Sequence, residues 1–273
     1  MMKRDKTEQG GIRNRRGSSM RQGIRRVSGL IMLLTFPVTM NFFSPYVSLY
    51  GAWSGLLSGA VMLFVSLFVS SMVMGRAFCG WACPAGAFQD LLRPARDRRV
   101  VRGRWLKYAV WAAWFGALAV GFAMNRPLKP APLFLTENGV SVAEPVQYAT
   151  YGSVVGLFLL LALTVGRRGA CHTVCWIAPF LVGGRTLGNL LSVPGLRLRS
   201  DAGVCTACGT CVGVCPMSLD VRGMVRSGKM EHADCALCGE CVDACPEHAV
   251  RFGFGGSAGT EFRSPSYPAE PSV

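Results

Sequence analysis

Eight cysteines near the carboxyl end constrain this chain more than any other feature. Cys205, Cys208, Cys211 and Cys215 precede Pro216, and Cys235, Cys238, Cys241 and Cys245 precede Pro246, so the run C-x2-C-x2-C-x3-C-P occurs twice, thirty residues apart. Three thiolates at this spacing wrap one face of a 4Fe-4S cluster, and in two-cluster proteins the fourth reaches across to the other cluster. The expected ligand sets are therefore Cys205, Cys208, Cys211 and Cys245 for one cluster, and Cys235, Cys238, Cys241 and Cys215 for the second. Structural zinc sites use two C-x2-C pairs and need neither a third cysteine at this spacing nor a following proline. Disulfides suit secreted domains, whereas the topology argued below puts this segment in a reducing cytosol.

With 51% hydrophobic residues in 273, the chain is too apolar for an ordinary soluble protein and long enough for two domains. Uncharged stretches run from Val27 to Val47, Ala52 to Met74, Tyr108 to Asn125 and Pro145 to Gly166. Each is near the roughly 20 residues that a helix needs to cross a bilayer core, which predicts four transmembrane helices. None contains histidine, which argues against a bis-histidine haem in the bilayer.

The formal charge of +14 raises the question of nucleic acid. Placement decides it. Lys3, Arg4, Lys6, Arg13, Arg15, Arg16, Arg21, Arg25 and Arg26 precede the first stretch, and Arg76, Arg93, Arg96, Arg98, Arg99, Arg102 and Arg104 separate the second from the third. The next loop has Arg126 and Lys129 balanced by Glu137 and Glu144. This positive-inside asymmetry predicts a multi-pass protein of a bacterial or archaeal cytoplasmic membrane with both termini cytoplasmic. It also accounts for the charge through anionic lipid, without a nucleic-acid partner.

The remaining cysteines form two C-x3-C pairs, Cys79 with Cys83 and Cys171 with Cys175, each just after an even-numbered stretch. Aligned on cysteine, Arg76 matches Arg168 and Phe88 matches Phe180, so the apolar part reads as a duplicated unit. The x3 spacing puts two thiols one helical turn apart on one face. Three readings follow: a third iron-sulfur cluster or other soft-metal centre, a pair of redox dithiols, or small packing residues. Pro84 after Cys83 predicts a helix break that frees backbone amides, and the second copy has Trp176 there instead. Arg76 and Arg168 read either as stabilisers of negative charge at such a centre or as membrane-edge anchors. His172, His232 and His248 read as surface or hydrogen-bonding residues rather than ligands.

Together these features divide the chain into a disordered basic tail over 1–22, a four-helix membrane domain over 23–179, an interfacial linker over 180–197, a two-cluster domain over 198–254 and a disordered tail over 255–273. The fold class is thus an α-helical membrane bundle followed by a small α+β ferredoxin-like domain. A core that small leans on its clusters for stability.

With both repeats in view, the chain resembles the NapH-type membrane ferredoxins, a group that takes in MauN-like proteins, the membrane portion of the nitrous-oxide regulator NosR and quinol-dehydrogenase accessory proteins. The resemblance covers roughly residues 24–250 and rests on Arg76, Cys79, Gly80, Trp81, Cys83 and Pro84, on Arg168, Cys171 and Cys175, and on the two longer runs. It implies four membrane helices, two 4Fe-4S clusters, and electron exchange between the quinone pool and a respiratory partner. The expected function is a quinone-linked electron-transfer subunit rather than a stand-alone enzyme. The rival is an assembly factor that supplies electrons to activate a partner enzyme.

Overall fold

The computed structural model describes residues 20–100, 103–126, 129–143 and 145–256. Most of the two expected tails, residues 1–19 and 257–273, lies outside the described residues. Helix α1 (Met20–Leu34) begins inside the stretch expected to be tail. Its first turns are anchored, because Arg21 donates to Asp243 at 2.9 Å and Gln22 donates to the carbonyl of Cys238 at 3.1 Å.

The first apolar stretch is not one straight helix. Helix α1 is followed by α2 (Phe36–Thr39) and a 3₁₀ turn (Met40–Phe43), with a bend of 59° between the two limbs. Pro37 sits at the start of α2, where its missing N–H and bulky ring prevent α1 from continuing. The second stretch is divided as well, into the end of α3 (Pro45–Trp53), strand β1 (Leu56–Ser58) and α4 (Gly59–Met74). Gly55, at φ 71°, makes the turn between helix and strand. Strand β1 then pairs in parallel with β2 (Lys129–Ala131). At 16 residues, α4 is about 24 Å long, short of the roughly 30 Å hydrocarbon core.

Helices α5 (Ala77–Trp81) and α6 (Pro84–Leu92) follow, then α7 (Leu106–Met124) and α8 (Pro145–Thr164), which are long and apolar enough to span. Both present apolar surface outward, including Phe115 and Val120 on α7 and Leu157 and Leu160 on α8. By length and composition the described residues thus offer two spanning helices, or three if the bent α1–α2 limb counts as one, and not the expected four. Hydropathy averaged along the chain does not register a bend or a strand pairing.

Beyond α9 (Gly169–Thr173), the segment expected to be an interfacial linker is mostly α10 (Ile177–Leu190), packed along α4. Its glycines are packing positions rather than breakers. A Cβ on Gly184 would lie 2.2 Å from the carbonyl of Phe68, and one on Gly188 would lie 2.7 Å from that of Met72, so glycine lets the two backbones approach closely. Phe180 fills the adjoining core, its ring 5.6 Å from Phe64 and 5.7 Å from Trp114.

The cysteine-rich segment opens at Gly195, earlier than expected. Strand β3 (Gly195–Ser200) pairs antiparallel with β4 (Val250–Gly255), from Gly195↔Gly255 to Ser200↔Val250, and so closes the segment between its ends. Helices α11 (Thr210–Val214), α12 (Val221–Arg226) and α13 (Glu240–Asp243) lie between them. The two cysteine runs repeat each other in backbone conformation: Ala207, Gly209 and Ser218 have positive φ, as do Leu237, Gly239 and His248.

Candidate metal centres

The two cysteine runs fold around two cavities, and each cavity takes cysteines from both runs. Cys205, Cys208, Cys211 and Cys245 line the first, with Val225, Ala249 and Val250 behind them. Cys215, Cys235, Cys238 and Cys241 line the second, with Leu198, Met217 and Met230. The repeated left-handed residues turn the chain inward at corresponding points of each run. The two cavities differ in exposure. Cys208 is exposed at the first, whereas Cys215, Cys238 and Cys241 are buried at the second.

The donor set fits a cluster better than a single ion. Among the described residues no three His, Cys, Asp or Glu side chains converge closely enough to hold one ion. The thiols surround spaces, as a multi-iron core requires and a tetrahedral zinc with Zn–S bonds near 2.3 Å does not. Burial first, and neighbouring cysteines second, push the Cys211 thiol up to about 11. Burial, followed by Glu240, pushes Cys238 up to about 12. Thiolates crowded this way are sustained only by cationic metal, which deprotonates a coordinating thiol outright.

The two C-x3-C pairs converge, though they lie 92 residues apart in sequence (Cys79 to Cys171). Cys79 is on α5, Cys83 caps α6, Cys171 is on α9 and Cys175 follows it; all four line one cavity of about 80 Å³. Phe36, Met40, Phe43, Val154, Phe158 and Trp176 make most of its apolar wall, and Arg76 is its one charged lining residue. Pro84 opens α6, with Cys83 extended before it, so the expected break is a change of helix direction. Trp176 in the second copy donates to the carbonyl of Phe43 at 2.9 Å and closes the wall. Gln89, which no sequence motif marks, is buried and donates to Cys171 Sγ at 3.3 Å while accepting from the amide of Ala170 at 2.9 Å.

This cavity abuts the second of the cysteine-run cavities. A Cβ on Gly80 would lie 2.4 Å from the carbonyl of Ala236 and 3.2 Å from the backbone nitrogen of Cys238, so α5 is seated against the 236–238 loop. Trp81 donates to the carbonyl of Leu237 at 3.0 Å. Arg76 spans the junction, donating to the carbonyl of Ala233 at 2.8 Å and lying 4.0 Å from Cys79 Sγ.

Both motif arginines are buried, which removes the membrane-anchor alternative. Arg76 pairs with Asp234 at 3.4 Å, and Asp234 also pairs with Lys107, a fully buried lysine that the sequence reading did not single out. Arg168 turns the other way, donating to Asp90 at 2.6 Å and to the carbonyl of Cys79 at 2.9 Å. Arg25 also donates to Asp90 and pairs with Glu240, and Arg93 pairs with Glu240 at 2.9 Å. Much of the basic charge expected to face lipid is thus spent on carboxylates of the cysteine-rich segment and of α6. His232 accepts at Nδ1 from the amide of Asp234, and His172 is fully buried.

Comparison with known proteins points to iron-sulfur clusters. A 4Fe-4S binding domain model matches residues 56–105, which contain the first C-x3-C pair, and a 4Fe-4S dicluster domain model matches residues 204–250. The methylamine utilization ferredoxin-type protein MauN of Methylorubrum extorquens is 29% identical over 181 residues, covering 60% of this chain and 58% of MauN. The nitrogen fixation protein FixG of Rhizobium meliloti is 29% identical over 196 residues, covering 59% and 36%. The regulatory protein NosR of Stutzerimonas stutzeri is 24% identical over 195 residues, covering 66% and 25%. The chain spans about half the length, or less, of the curated relatives it matches first. No solved structure matches it. The matched models describe the binding of 4Fe-4S clusters. In sequence it is similar to the ferredoxin-type protein MauN and to FixG and NosR.

Proposed function

We propose that this chain is an integral membrane electron-transfer subunit that exchanges electrons between the quinone pool and a one-electron redox partner. The observation that carries this reading is the seating of α5, with Cys79, against the loop that carries Cys235 and Cys238. Cys205, Cys208, Cys211 and Cys245 hold one 4Fe-4S cluster, and Cys215, Cys235, Cys238 and Cys241 hold the other. Cys79, Cys83, Cys171 and Cys175 hold a further soft-metal centre. Such clusters, when bound, supply one-electron carriers whose potentials follow from charge, hydrogen bonding and exposure.

The protein's own groups do the rest. Arg76 and Gln89 place N–H groups beside the sulfurs of Cys79 and Cys171, which favours the electron-rich state there. The aromatic and aliphatic wall of that cavity excludes water and offers a lipid-soluble quinone an apolar approach. Exposed Cys208 marks the side on which a partner protein comes nearest. The side of the membrane follows from charge: the arginines that the positive-inside rule assigns to the cytoplasm are those that grip the cysteine-rich segment.

Anaerobic redox titration of the purified chain, followed by mixing with quinol and quinone analogues, tests the proposal. Cluster absorbance is expected to respond to one of the two analogues. Clusters that titrate normally yet respond to neither would overturn the quinone link.

A further inference from the structure

Beside the metal centres lies a second polar cavity, of about 150 Å³, between α10 and the start of the cysteine-rich segment. Arg185, Thr186 and Asn189 from α10 line it, with Arg197 from β3 and the Glu231–His232 pair. Its charge does not balance. Glu231 takes Arg185 Nε and Asn189 Nδ2 on one oxygen, both at 2.8 Å, and Arg197 Nη1 on the other. Two guanidinium groups therefore share one carboxylate whose oxygens are both already occupied. Arg197 is 3% exposed.

The spare hydrogen-bonding capacity is all of one kind. Arg185 Nη1 and Arg76 Nε are shielded from solvent and have no partner, and both residues line the cavity. His232 accepts at Nδ1 from the amide of Asp234 at 3.0 Å, so its neutral ring carries the proton on Nε2, again a donor. A cavity with surplus positive charge, surplus donors and a saturated acceptor calls for an acceptor-rich anion, and guanidinium forks match phosphate oxygens in particular. Burial, with Arg185 and Arg199 nearby, shifts Arg197 downward despite Glu231, as expected where cations outnumber their counter-charge. Next to Asn189, Leu190 and Leu191 are exposed apolar residues, 80% and 59% accessible, placed to meet acyl chain.

We propose that this cavity binds a phosphate group, supplied as the headgroup of an anionic phospholipid, which ties α10 and β3 to the membrane surface beside the metal centres. Basic pockets at membrane-facing junctions are suited to such headgroups.

The test uses the full chain in nanodiscs containing phosphatidylglycerol, phosphatidylcholine or both, with inorganic phosphate as a competitor and bound lipid counted by native mass spectrometry. The expected result is selective retention of phosphatidylglycerol that phosphate does not displace. Arg185→Gln and Arg197→Gln should each weaken retention about tenfold, while Arg222→Gln, a control outside the cavity, leaves it unchanged. Thr186→Leu, an exposed substitution at the cavity mouth, reports on the site should loss of Arg197 prevent folding, and it too should weaken retention. Binding and competition by inorganic phosphate alone would uphold the phosphate site and overturn the lipid as its source. Equal retention of both lipids, unchanged in all variants and unaffected by phosphate, would overturn the site.

Discussion

The two C-x3-C copies begin from matched sequences and end in different roles. In the first copy, Arg76 reaches out to Ala233 and Asp234, and Gly80 lets α5 lie against the 236–238 loop. In the second, Arg168 reaches back to Asp90 and the carbonyl of Cys79, and the position matching Gly80 is His172, fully buried. The first copy faces the ferredoxin-like segment, and the second braces the first. A duplicated motif thus gives one shared cavity with an inner and an outer side, and the outer side is seated against the loop that lines the second cluster cavity.

The largest expected effect comes from separating the arginine partners. Asp234→Asn leaves Lys107 and Arg76 buried with less counter-charge, and should destabilise by about 3–5 kcal/mol; denaturant unfolding measures it. An effect below the scatter of surface substitutions would show that the outer copy does not depend on this ion cluster. Next is Gly80→Val, whose side chain must displace the carbonyl of Ala236. Overpacking of this kind costs about 1–3 kcal/mol, whereas Gly116→Val, on α7 with open space at the Cβ position, should cost less than about 1 kcal/mol.

The inner copy has an acid signature. Burial alone would raise the Asp90 carboxyl, but Arg168 and then Arg25 outweigh it and hold the group below the usual carboxylate range. Because the folded value is depressed, the stabilisation is fully present above the unfolded value of about 4 and is lost as pH falls through the folded value. Thermal unfolding between neutral and acid pH should therefore show a steeper acid limb in the wild type than in Asp90→Asn. The smallest effect expected is Trp81→Phe, which removes one hydrogen bond to Leu237 and should cost about 1 kcal/mol.

What could be read from sequence depended on whether the cause was local. The eight-cysteine pattern was legible because its spacing is itself the geometry, and the structure gathers those residues into two cavities of four. The C-x3-C pairs were legible as a repeat, but their shared cavity required contacts across 92 residues of chain. Gln89, Lys107 and the seat of Gly80 were not legible, since each acquires its role only from a partner elsewhere in the fold. The four apolar stretches correspond to two helices of spanning length among the described residues, or three with the bent limb, because Pro37 bends the first stretch and β1 interrupts the second. The segment over 180–197 was expected to be an interfacial linker, although most of it is α10, whose glycines serve packing against α4.

Iron and acid-labile sulfide per chain, measured on anaerobically purified protein beside its Cys79→Ser/Cys83→Ser variant, test the third centre most directly. The wild type should carry more than the about eight irons of two 4Fe-4S clusters, and the variant should fall back to about eight. Equal iron in the two proteins would contradict an iron-sulfur centre at the shared cavity.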